Sequence, residues 1–280
     1  VQHEREYVRW LCSTKTPQRT AKDAFEEPYY DYLQAPLQPL QDHLESATYE
    51  TFERDPIKYQ LYYKALLRAL RDRAAVHQPP NSPLVVMVVG AGRGPLVDAT
   101  LRAGRSANCP LRMFAIEKNP NAVNTLENRN ITEWQQCVEI VQHDMRTWQP
   151  PELAHVLVSE LLGSWGDNEA SPECLDGAQR LLRRDGISIP RAYTSYVAPI
   201  SSSRLWNEVH QFTTMDSSGG GGGVGGAALR TARSAFETPY VVHIHNANLL
   251  CEEMPLFTFI HPRPELYTDE AAGGSSGGGG

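Results

Sequence analysis

The sequence predicts an α/β fold, a parallel and doubly wound sheet followed by the start of an antiparallel region. Three observations carry that prediction. Short apolar runs alternate with helical stretches from Leu84 onward. A glycine-rich turn, Gly90-Ala91-Gly92-Arg93-Gly94, lies where the first apolar run meets the helix after it. Beyond Pro190, strand-like runs follow one another with no helical pattern between them.

Taken in order, residues 1–40 are aromatic and Pro-punctuated (Tyr29, Tyr30, Tyr32, Pro36, Pro39) and lack a clean period. An extended lead-in with short helical pieces is expected there. Asp55-Pro56 opens a helix, since Asp caps well and Pro is tolerated at the first helical position. Ile57, Leu61, Ala65, Leu66, Leu67 and Leu70 then give one apolar face to about residue 75. The continuous β-branched content of Leu84–Val89 reads as a buried strand. Pro95–Ala103 and Ala122–Glu133 read as helices, Leu111–Ile116, Val138–Val141 and Val156–Val158 as strands. Pro172–Arg183 reads as a helix closed by an Asp185-Gly186 turn, with Ile187–Ile189 a short last strand. Thr194–Ile200, Pro239–His245 and Leu256–His261 are the strand-like runs of the antiparallel region.

Composition bounds the function. Of 280 residues, 41% are apolar and 21% charged, enough for a packed core. No run of 18 apolar residues is present, which excludes a transmembrane helix. The N-terminus lacks a basic-then-apolar signal pattern. Five cysteines are scattered without a CxxC pair, which fits reduced thiols of an intracellular protein better than disulfides or zinc. The net charge of −7 argues against direct nucleic-acid binding and leaves room for a cationic partner. Most of the 21 glycines lie in two tracts, 219–226 and 273–280, read as a flexible insertion near 216–234 and a disordered tail over 271–280. The organisation expected is a lead-in over 1–40, a helical segment plus α/β domain over 41–190, and an antiparallel domain over 191–270.

The glycines of the Gly90–Gly94 loop allow a tight turn and close approach of a ligand to helix N–H groups. The spacing opens like a dinucleotide fingerprint, but Pro95 stands where the third Gly or Ala belongs, and the third glycine is Gly94. A nucleoside without a pyrophosphate fits better; a tight strand–helix turn with no ligand stays open. Glu117 closes the second strand, where an acid can accept from ribose hydroxyls. Asp144 and Met145 follow the third, where a carboxylate can accept from an adenine amino group and a thioether can pack on the ring. Glu160 closes the fourth. A Gly-containing stretch separates it from Glu169, enough for a hairpin-like loop that brings two carboxylates together. Such a pair is unfavourable without a cation or a proton between them, and a guanidinium meets that need. On residue types alone, the reading of Glu169 as a surface loop acid wins over the paired one.

The segment S-E-L-L-G-S-x-x-D-N-E-x-S-P-E-C-L-D-G-A-Q, Ser159 to Gln179, resembles the double-glutamate loop of the protein arginine methyltransferases, most closely their symmetric-dimethylating branch. Y-L-Q-A-P-L-Q-P-L from Tyr32, F-E-R-D-P-I-K-Y from Phe52, Val89–Pro95, E-K-N-P-N-A-V from Glu117 and P-I-S-S-S from Pro199 agree, and the likeness spans about residues 25–262. The resemblance implies a Rossmann-like S-adenosylmethionine-dependent methyltransferase domain followed by an incomplete antiparallel β-barrel. It implies S-adenosyl-L-methionine held by Tyr49, Lys58, Tyr59, Gly90, Gly92, Gly94, Glu117, Asp144 and Met145. Glu160 and Glu169 would grip a peptidyl arginine, and Phe52 occupies the position associated with symmetric dimethylation. Trp165 either walls the arginine pocket or packs the loop. The family further implies Gly-Arg-rich tails of histones and RNA-binding proteins as substrates, a possible homo-oligomer, and a cytoplasmic and nuclear location. That branch also carries an N-terminal TIM barrel that binds a WD-repeat partner, and an F-S-W-F-like segment in a complete barrel. Neither has a counterpart in this sequence, so that partner is not expected, and a truncated, catalytically impaired cofactor-binding module is the alternative. No metal is expected; His243 and His245 alternate on one run without a third ligand.

Overall fold

The computed structural model describes residues 2–15, 20–76, 79, 82–215 and 236–266. The Gly-rich insertion and the 271–280 tail expected from sequence lie outside them. The described residues fall into two compact units, one drawn from Leu37–Val197 and Glu253–Gly280, the other from Val1–Pro36 and Ala198–Glu252.

Two helices open the chain, α1 (Gln2–Thr14) and α2 (Ala21–Glu26), the second begun by a capping box in which Thr20 and Asp23 satisfy each other's backbone N–H. Next come α3 (Ser46–Glu53) and α4 (Pro56–Val76), whose Leu66, Ala69 and Leu70 are buried. Then β1 (Leu84–Val89), α5 (Pro95–Ala107), β2 (Leu111–Glu117), α6 (Pro120–Thr132), β3 (Val138–Gln142), β4 (Ala154–Ser159), α7 (Ser171–Ala178) and β5 (Leu182–Ile189) alternate. The five strands form one sheet in the order β3-β2-β1-β4-β5, and every pairing is parallel. β1 and β4 are buried along their whole length, as central parallel strands covered on both faces must be. One core, with Val86, Val88, Val156 and Val158, packs under α4, α5 and α6. The other, with Val85, Met87, Val89 and Leu157, packs under α7. The chain runs from β1 outward to β3, then returns to β4 on the other side of β1. That reversal opens a crevice at the carboxyl ends of β1 and β4, where open α/β sheets bind ligands.

The remaining elements are β6 (Ala192–Val197), β7 (Ile200–Ser201), α8 (Ser203–Met215), β8 (Asn248–Leu249) and β9 (Met254–Ile260). β6 pairs antiparallel with β9, and β7 with β8. Four expectations are corrected here. The helix read over Pro172–Arg183 ends at Ala178, and after a 3-10 turn β5 begins at Leu182. Asp185-Gly186 is no closing turn: it lies inside β5 where the register against β4 shifts, and Arg73 Nη2 binds Asp185 Oδ2 at 2.6 Å. A helix, α8, does separate the antiparallel strands, and Pro239–His245 forms only isolated bridges, Tyr30 with His243 and Gln34 with Val241. Tyr30 also stacks on the His245 ring at 4.7 Å. Among the described residues, no cluster of His, Cys, Asp or Glu could hold a metal ion, and no helix is long and apolar enough to cross a membrane.

Candidate active site

The crevice holds a cavity of about 190 Å³. The chain turns sharply out of β1 through Gly90 (φ +70°) and Gly92 (φ +54°), a left-handed conformation that glycine adopts at little cost. Gly90 and Gly92 line the cavity with bare backbone. Across from them, Glu117 at the end of β2 is buried, with Oε2 accepting from the Gly92 N–H at 2.7 Å and Oε1 from the Asn119 N–H at 2.8 Å. Two backbone donors thus fix the orientation of this carboxylate without using all its lone pairs. Asp144 follows β3 and is gripped by Arg146, whose Nη2 lies 2.6 Å from Oδ2. That guanidinium holds the Asp144 carboxyl below its ordinary range, so it stays an acceptor at neutral pH. Met145 and Cys174 supply soft apolar wall; burial pushes the Cys174 thiol up to about 11, so it remains protonated. The donor set suits a nucleoside: fixed carboxylates for hydroxyl and amino donors, bare backbone beside them, and a thioether wall.

The other end of the cavity is acidic. Glu160 follows β4, whose last carbonyl, Ser159 O, accepts from Tyr62 Oη of α4 at 2.7 Å. The loop beyond it doubles back as expected: Gly163 and Gly166 exchange N–H···O bonds of 3.2 and 3.0 Å, and Gly166 has φ +83°. Asn168 Oδ1 accepts from the Trp165 N–H at 2.8 Å, and Ser195 Oγ of β6 donates to Trp165 O at 2.7 Å. Glu169 therefore returns to the cavity that Glu160 lines. Lys58 Nζ pairs with Glu160 Oε2 at 3.3 Å. Glu169 has no ion-pair partner among the described residues, and burial together with the Glu160 charge pushes its carboxyl up to about 7.

Residues 20–189 match the family model described as PRMT5 arginine-N-methyltransferase, and residues 192–272 match the one described as PRMT5 oligomerisation domain. The chain belongs to the PRMT5 arginine-N-methyltransferase family. Protein arginine N-methyltransferase 5 of Xenopus laevis is 49% identical over 264 residues, covering 94% of this chain and 40% of its own length. Protein arginine N-methyltransferase skb1 of Schizosaccharomyces pombe is 43% identical over 270 residues, covering 94% and 39%. The chain thus spans about 40% of the length of these curated relatives. The solved Trypanosoma brucei PRMT1 enzyme-prozyme heterotetrameric complex with AdoHcy superposes with a TM-score of 0.51 at 15% identity, over 77% of this chain and 63% of that one. At that identity it shows the fold alone: a Rossmann-like methyltransferase sheet with an antiparallel region after it.

Of the residues singled out for this PRMT5-family site, Tyr49, Phe52, Lys58, Tyr59, Gly90, Gly92, Glu117, Asp144, Met145, Glu160 and Glu169 line the one cavity. Two do not. Gly94 is the N-cap of α5, with φ +100° and its Cα face against Trp134. Trp165 packs its loop: its Nε1 donates to Tyr196 O at 2.9 Å and its ring meets Phe257 edge-on at 6.4 Å. Several contributors escaped the sequence reading. Tyr62 ties down the strand end that carries Glu160, and its position three residues after Tyr59 on one helical face was the available signal. Asn119 bridges Leu44 O (3.0 Å) and Tyr49 Oη (3.2 Å), while Lys118 Nζ donates to Leu40 O at 2.6 Å, so the segment after β2 holds the chain before α3 over the cavity.

Proposed function

We propose that this chain carries the methyl-transfer site of a protein-arginine N-methyltransferase, with S-adenosyl-L-methionine as donor and peptidyl arginine as acceptor, giving ω-N-monomethyl and symmetric dimethylarginine. The observation that carries the reading is the return of Glu169 to the cavity of Glu160, beside carboxylates fixed to suit a nucleoside. Bound there, S-adenosylmethionine would supply an electrophilic methyl group on a sulfonium. Gly90 and Gly92 would present backbone to it, Glu117 would accept from ribose hydroxyls, Asp144 would accept from the adenine amino group, and Met145 would pack on the ring. Tyr49, Lys58 and Tyr59 close the side toward α3 and α4. Glu160 and Glu169 take the guanidinium in two-point hydrogen bonds, which localise its charge on the nitrogens they touch and leave the third richer in electron density. Fixing that nitrogen in line with the methyl group contributes up to about 7–11 kcal/mol in well-oriented cases. Glu169, in contact with the guanidinium, is placed to take the proton released after transfer. Gly-Arg-rich tails are the substrates the family resemblance favours. The match to an oligomerisation model over residues 192–272 supports self-association.

Calorimetric titration of the 280-residue chain with S-adenosylmethionine, then a methyl-transfer assay on a Gly-Arg peptide, tests the reading. Saturable binding and transfer are expected. Binding without transfer selects a cofactor-binding module, and no binding overturns the assignment.

Two further results are expected. Raising the pH through about 7 strips the proton from Glu169, so guanidinium affinity rises through that range and levels off above it. Peptide titrations that give a flat affinity from about pH 6 to about pH 8 reject Glu169 as a guanidinium ligand. Phe52→Met replaces a flat, rigid ring on the cavity wall with a flexible thioether, and the methylarginine product should shift away from the symmetric isomer. Mass-spectrometric isomer analysis showing an unchanged product removes Phe52 from product control.

A further inference from the structure

We infer that Lys58 is an exchangeable counter-ion that couples cofactor to substrate: it occupies Glu160 until the amino-acid carboxylate of a bound nucleoside claims its ammonium. The inference rests on the proposed function and adds to it a rule for the order in which the two ligands strengthen each other.

Sequence resemblance assigned Lys58 to the cofactor, yet the structure places its Nζ 3.3 Å from Glu160 Oε2, a carboxylate assigned to the substrate. Both side chains are 22% exposed, so the pair is only partly screened by solvent. The ammonium also lies 5.6 Å from the centre of the Phe52 ring and 4.9 Å from that of Tyr59. These ring faces favour a cation over a range of positions rather than at one point. A lysine ammonium has three donors on a flexible stem, and one hydrogen bond to Glu160 leaves the others available.

Several other charged groups of the cavity are committed elsewhere, while Asp42 and Glu169 line it without an ion-pair partner among the described residues. Glu117 is held by two backbone N–H groups, Asp144 by Arg146, and Glu53 by Arg93 Nε at 3.3 Å. Lys118 donates to Leu40 O, a bond that holds the chain before α3. Glu160 is paired with a side-chain cation on a flexible stem, and that ion pair closes no turn. A guanidinium that enters while Lys58 stays would have to share Glu160 with a second positive charge at close range. A nucleoside carrying a carboxylate removes that competition, since it offers Lys58 another anion and leaves Glu160 and the unpaired Glu169 to the guanidinium. Linkage then makes the effect mutual: whatever factor the carboxylate adds to guanidinium affinity, the guanidinium returns to the carboxylate-bearing nucleoside.

The test compares S-adenosylhomocysteine with 5′-methylthioadenosine, which keeps the nucleoside thioether and lacks the amino-acid end. A Gly-Arg peptide is titrated calorimetrically into the full chain saturated with one or the other. At least about fivefold tighter peptide binding is expected with S-adenosylhomocysteine. In Lys58→Gln that advantage should vanish, and in Lys58→Arg, which keeps the cation, it should persist. Binding of 5′-methylthioadenosine reports that each variant retains its pocket. Equal peptide affinities in the unaltered chain, or an advantage undiminished in Lys58→Gln, overturn the coupling and leave the proposed function standing. Failure of the unaltered chain to bind either nucleoside, or to bind peptide with both, overturns the proposed function and the coupling together.

Discussion

Glu169→Gln is expected to leave S-adenosylmethionine affinity within about twofold and to lower methyl transfer by about 10²-fold or more; two charge-assisted hydrogen bonds of about 1.5–3 kcal/mol each are at stake, and 1.4 kcal/mol is a factor of ten. Glutamine keeps the size and one acceptor of the side chain, so the doubled-back loop, held by the Gly163–Gly166 pair and by Ser195, has no reason to move. What is lost is a charge. In the unliganded structure Glu160 has Lys58 as its counter-ion, whereas Glu169 has none among the described residues, and burial together with the Glu160 charge pushes its carboxyl up to about 7. Without it, a guanidinium finds one carboxylate, Glu160, where the unaltered chain offers two. The variant should also lose the rise in peptide affinity through pH 7. Calorimetry on the variant with both ligands, paired with single-turnover transfer, separates binding from chemistry. Turnover near that of the unaltered chain would refute the assigned role.

How much was legible in the sequence differs from element to element for physical reasons. β1 was read at Leu84–Val89, to the residue, because an unbroken apolar run lies between Pro83 and the Gly90 turn. The boundary between α7 and β5 was misread because Leu181 and Leu182 are inward in either conformation, and both are buried. Only the parallel partner strand decides, and periodicity within the segment carries no record of a partner. The same limit explains Pro239–His245, whose alternation resembles a strand although its pairing is confined to two bridges. In the site, Glu117, Asp144, Met145 and Glu160 were legible because parallel strands deliver whatever follows them to one edge. Resemblance supplied Tyr49 and Lys58. The Lys58–Glu160 pair was not legible, being made by residues 102 apart that a fold must first bring together. Trp165 had two readings of equal standing, and the contacts with Tyr196 and Phe257 select loop packing.

The three glycines of the loop were read as a unit, and Gly94→Ala against Gly92→Ala separates them. Gly94 has φ +100° and ψ 15°, and a Cβ there would stand 2.6 Å from Trp134 Cη2, 2.9 Å from Cζ2 and 3.1 Å from Arg129 Nη1. Neither neighbour can yield. Trp134 is buried with Nε1 donating to Asp98 Oδ1 at 2.9 Å, and Arg129 donates to Arg93 O at 2.9 Å and to Asp98 Oδ2 at 2.6 Å. Backbone strain of about 1–3 kcal/mol and overpacking of about 1–3 kcal/mol add to a cost of about 2–6 kcal/mol. For a domain of this size each kcal/mol lowers the melting temperature by roughly 2–4 °C. Gly92 differs: φ +54° lies where a side chain is tolerated at about 1–2 kcal/mol, and its Cβ would meet Tyr49 Cε1 at 3.1 Å on the cavity wall. Gly92→Ala should therefore melt within a few degrees of the unaltered chain yet bind nucleoside weakly. Gly94→Ala should melt far lower and, kept cold enough to stay folded, bind nucleoside better than Gly92→Ala does. Equal thermal shifts in the two variants, or an unshifted Gly94→Ala, would return Gly94 to the ligand and contradict the Trp134 clamp.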